Sequence, residues 1–170
     1  MKKLKNILLS LLFLMAFTQI KAQVVTVSGS VNNVVDAYLG VKNALVASNN
    51  WDVKSKAAAL LVAINTVPED KLSADQHKLW LAYTDKLKFD SRHISESGDL
   101  DHQREHFASL SKNMYEVLNG LKLNRTVVYE QYCPMKKATW LSETSAIKNP
   151  YYGSKMLTCG KTTATLVPAL

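Results

Sequence analysis

Cys133-Pro134-Met135 and Met156-Leu157-Thr158-Cys159 hold the only two cysteines of the 170-residue chain and two of its five methionines, with thiol and thioether in opposite order. Polarisable sulfur donors suit closed-shell Cu(I) better than hard oxygen ligands do. If Cys133, Met135, Met156 and Cys159 converge, they form a four-sulfur site for copper or, alternatively, zinc or silver. With both thiols ionised, such a site carries one net negative charge around Cu(I). Lys136, Lys137, Lys155 and Lys161 stand beside it in the sequence, and their charge would favour the thiolates. The same two cysteines can instead pair. A Cys133–Cys159 disulfide would close a loop of 25 intervening residues, which the chain-entropy model values at ~3 kcal/mol or somewhat more. Each methionine alone also reads as an ordinary packing residue. The spacing is neither a paired C-x-x-C zinc knuckle nor a thioredoxin-like redox motif.

His102 and His106 are a second candidate metal pair, since a spacing of four puts both rings on one edge of a helix. Winding that helix at 3.6 residues per turn sets Gln103 in the apolar stripe and the histidines on its flank, where a solvated helix edge is the competing reading. His77 and His93 have no evident partners in the sequence and read as surface residues. No G-x-S-x-G elbow is present, and no acid, base and nucleophile constellation assembles, so the chain reads as non-enzymatic.

The elements that must position these groups are mainly helical. Val31, Val34, Val35, Tyr38, Val41, Leu45 and Val46 define one helical face up to about Ser48. Asn49 and Asn50 end that helix and cap a second, whose "KAAALLVAI" is apolar on nearly every side and predicts a central position. "VPEDK" reads as a loop. Ser73 and Gln76 have capping-box spacing for a third helix with Trp80, Tyr83, Leu87 and Ile94 in its stripe. The turn around Gly98 precedes a fourth, opened by Asp99 or Asp101, with Phe107, Leu110, Met114, Val117, Leu118 and Leu121 on one face. The expectation is an antiparallel four-helix bundle over about residues 31–121. Beyond Gly120 the period changes. "RTVVYEQYC" and "KTTATLV" read as strands and "KNPYYG" as a turn, so residues 122–170 form a small β-rich or irregular cap with Tyr129, Tyr132, Trp140, Tyr151 and Tyr152 as its core.

Lys2, Lys3 and Lys5 followed by the apolar run Ile7 to Phe17 have the order of a secretory signal peptide, with cleavage expected after Ala22. The run is too short for a membrane anchor, and the expected mature chain, residues 23–170, is one domain in the periplasm or secreted. Loss of four lysines reduces the net charge from +7 to +3. Residues 23–121 then carry 10 basic and 12 acidic groups, and residues 122–170 carry 7 and 2. No nucleic-acid-binding motif accompanies the basic cap.

In order along the chain, "HQREHFASLS", "YCPM", "TWLSETSAIKNPYYG" and "KMLTCG" resemble the bacterial family called Domain of Unknown Function 3347, over about Val31 to Lys161. The motif residues are Gln103, Arg104 and Phe107 in the helical part and Cys133, Pro134, Met135, Trp140, Asn149, Pro150, Tyr151, Gly153, Met156, Cys159 and Gly160 in the cap. The resemblance implies a periplasmic domain found alone or fused to the adaptor subunits of heavy-metal efflux systems. It therefore implies copper or a similar soft metal as cargo and an efflux adaptor as partner. The link "KKAT" between C-P-M and W-L-S is shorter here than in the family, which implies a differently folded rim. "YCPM" is also similar to a short heavy-metal-binding motif in which histidine follows the methionine; Lys136 occupies that place.

Overall fold

The structure, a computed structural model, describes residues 26–168; the expected signal peptide lies outside them. Four helices come first: α1 (Val27–Val46), α2 (Asn50–Asn65), α3 (Ala74–Glu96) and α4 (Leu100–Leu121). Their starts follow from side chains that satisfy otherwise unpaired backbone N–H groups. Thr26 accepts from Gly29 N and Asn49 from Asp52 N. Ser73 and Gln76 form a reciprocal capping box. Asp99 accepts from the N–H groups of Asp101 and His102.

Each helix packs on the one before it in the chain. The apolar stripes of α1 and α4 are buried as their spacing requires, with Val46 at the margin. Tyr38 of α1 stacks on Phe107 of α4 at 5.3 Å between ring centres. Its hydroxyl lies 2.7 Å from Ser111 Oγ. The expectation of a central α2 is not met. That helix buries only Val53, Ala57, Leu60 and Ile64, and Ala58, Ala59 and Val62 face outward. With α1 and α3 as its main neighbours, one side of it packs against nothing among the described residues.

The cap is more regular than its composition suggested. It is a three-stranded antiparallel sheet of β1 (Val128–Cys133), β2 (Ala138–Ser142) and β3 (Lys161–Leu166), in the order β2-β1-β3. The "KKAT" link runs from the tight β1–β2 turn, residues 134–137, into the first two residues of β2; in the turn Lys137 takes a left-handed φ of 56° and its N–H bonds Cys133 O at 2.8 Å. Of the five aromatic residues expected in the cap core, Trp140 and Tyr151 are fully buried and Tyr129, Tyr132 and Tyr152 half-buried.

The sheet is fastened to α1 and α4. Leu141 N donates to Tyr38 Oη at 3.0 Å, and the buried Lys42 ammonium bonds Glu143 at 2.7 Å. Arg104 Nε donates to Pro150 O at 3.1 Å and its Nη2 to Ser48 Oγ at 2.9 Å. Gly153 beside them has φ +56°, and a Cβ there would lie 3.0 Å from Val46 O. Glycine is required at that junction on both counts. Among the described residues, no helix is long and apolar enough to cross a membrane.

Candidate metal centre

The pairing of Tyr132 with Lys161 closes the β1–β3 ladder. The next residue on β1 is Cys133, and Gly160 and Cys159 immediately precede β3. Antiparallel register thus carries two thiols from distant parts of the sequence to the same end of the sheet. Both are free, Cys133 buried and Cys159 half-buried. The two thiols adjoin, close enough for Cys133 to disfavour charge on Cys159. Lys136 N donates to Cys133 Sγ at 3.4 Å. Asn149 Nδ2, donating to Cys159 O at 2.7 Å, holds the second thiol's backbone. Gly160 permits the approach, because a Cβ there would come within 2.7 Å of the Trp140 ring and 3.1 Å of Tyr132 O.

The two thioethers are less committed. Met135 belongs to the hairpin turn and is 63% exposed. Met156 is half-buried at the end of the 3-10 turn Gly153–Met156. The lysines do not have the effect on Cys159 that their sequence positions suggested. Burial, and then the adjoining Cys133 thiol, push its pKa up from the ordinary thiol value.

His102 and His106 lie on one edge of α4, as their spacing requires. The cap does fold against this helix, but over the face that carries Arg104 and Phe107, whereas the histidines meet α3. Their neighbour is His93, in the last turn of α3. The ligating nitrogens of His93, His102 and His106 all lie within 4.8 Å of one another, and neither cysteine belongs to the group. The reading of His93 as a partnerless surface residue is corrected accordingly. Its ring stacks on His106 at 4.5 Å and against Phe89 at 4.3 Å. His106 Nδ1 lies 2.9 Å from Oδ1 of the buried Asp90. Asp90 Oδ2 in turn accepts from Ser109 Oγ at 2.6 Å.

Fold and site together define a mainly helical domain with a small C-terminal antiparallel sheet, one pair of cysteines and, apart from it, one cluster of histidines. The family model described as "Protein of unknown function (DUF3347)" matches residues 34–126, and the chain belongs to that family. The match covers the four helices from within α1 onward and ends before β1, so the sulfur pair lies beyond it. No curated protein and no solved structure matches the chain.

Proposed function

We propose that this protein is a non-enzymatic, exported metal-binding domain that takes up a soft ion, copper before zinc or silver, and buffers it or passes it to the adaptor of a metal efflux system. The observation that carries the reading is the adjoining pair of free thiols, Cys133 and Cys159, brought to one end of the sheet by strand register. Two thiolates supply the principal bonds to Cu(I), and Met135 and Met156 complete or tune the set. Uptake releases protons, since both sulfurs bind as thiolates. Periplasmic location follows in this proposal from the signal-like residues 1–22, and the helices serve as an antiparallel up-and-down bundle that supports the cap.

The test is titration of the reduced chain with Cu(I) in competition with a chromophoric chelator. One equivalent is taken up by the wild type and none by Cys133→Ser with Cys159→Ser. A reduced wild type that leaves all copper on a moderate-affinity chelator overturns the proposal and leaves a structural domain stapled by a disulfide.

A further inference from the structure

We propose that His93, His102 and His106 form a three-nitrogen site for a borderline divalent transition-metal ion, independent of the sulfur pair. Imidazole nitrogen suits Zn(II), Cu(II), Ni(II) and Co(II), whereas the thiol pair suits Cu(I). The chain thus carries two donor sets of different softness.

The geometry is close to that of a bound site. Metal–nitrogen bonds of 2.0–2.1 Å at tetrahedral angles set the nitrogens about 3.3 Å apart. From separations of no more than 4.8 Å, each ring closes the difference by shifting about an ångström or less. His102 is exposed and free to rotate inward, while His93 and His106 are half-buried and already stacked. Three protein ligands leave a fourth tetrahedral position for water or an exchanging ligand, the arrangement of open rather than closed metal sites.

A stack of rings would not by itself require the support found behind His106. The Asp90 carboxylate, buried between the two helices, takes a hydrogen bond from Ser109 on one oxygen. A carboxylate can only accept, so its other oxygen takes the proton of His106 Nδ1 and leaves Nε2 with a free lone pair for a metal. A carboxylate behind a ligating histidine fixes the tautomer, orients the ring and raises its basicity. Asp90 also brings a buried negative charge towards a dipositive ion. Phe89 packs on His93 and lies 5.7 Å from His106, forming an apolar wall on one side. Because the ligands come from the end of α3 and the start of α4, an ion here clamps the two helices across the turn at Ser97–Asp99.

The test uses the chain without a polyhistidine tag and with Cys133→Ser and Cys159→Ser, so that sulfur contributes nothing. Cobalt(II) titration should give one equivalent of the intense visible absorption of nitrogen-ligated tetrahedral Co(II), displaced by Zn(II), and Zn(II) should raise the thermal midpoint. Adding His102→Ala, an exposed change that leaves the fold intact, should weaken Zn(II) by at least about 100-fold. His77→Ala, elsewhere on α3, should leave the affinity unchanged. Absence of both the absorption and the thermal shift overturns the proposal, as does an affinity indifferent to His102→Ala. Failure here is distinct from failure of the sulfur site, which is read with Cu(I) on intact thiols.

Discussion

Asp90 is the side chain that orients His106 within the three-histidine cluster. It is 4% exposed, and a carboxylate so far from water needs its hydrogen bonds satisfied by protein. Ser109 and His106 satisfy it, and the bond to Nδ1 leaves Nε2 as the His106 nitrogen open to a ligand. Asparagine at this position keeps the size but loses the charge and one acceptor oxygen. Asp90→Asn is expected to weaken Zn(II) binding by about 10- to 100-fold while the stoichiometry stays at one, measured by competition titration on the thiol-free chain. Unchanged affinity would mean that the carboxylate serves packing alone. At the other cluster, Cys159 has a raised pKa because burial and the facing thiol both disfavour its charge.

Elements position these residues through a few long-range contacts. Lys42 on α1, 1% exposed, reaches Glu143 just after β2 and anchors the sheet to the helices. Burial alone would raise Glu143, but hydrogen bonds from Lys42 and Asn43 outweigh it and hold its carboxyl below the ordinary carboxylate range. A folded-state pKa below the unfolded one means that the unfolded chain takes up the proton more readily. The stabilisation is therefore present above the unfolded carboxylate pKa of about 4.3 and lost as pH falls through the lower folded value. Urea midpoints should decline across that acid range in the wild type, and Glu143→Gln should lower the midpoint at neutral pH and flatten the decline. An undiminished slope in the variant would assign the acid sensitivity to other carboxylates.

Helix starts were legible from sequence because caps are local: Asn49, Ser73 with Gln76, and Asp99 all act within three residues. Strand β2 was not, because Ala138–Ser142 lacks a clean alternation and owes its conformation to pairing with β1. His93 was missed because its partners lie across a helix–helix contact. A usable signal was present all the same. His93 and His106 stand six before and seven after Asp99, and Asp90 and Ser109 nine before and ten after. In an antiparallel helix pair such mirrored positions face one another.

At the scale of the molecule, two chemistries are segregated. The helical body, within which the family match falls, carries the nitrogen cluster at the α3–α4 end. The sheet beyond the match carries the sulfur pair within residues 122–170, which hold 7 basic residues and only 2 acidic ones. The most direct measurement of the central claim is native mass spectrometry of the full-length protein expressed and exported in copper-supplied cells. The account predicts a mature chain carrying copper, which on removal of the metal has the mass of two reduced thiols. A metal-free chain two hydrogens lighter, with Cys133 and Cys159 joined, would contradict it.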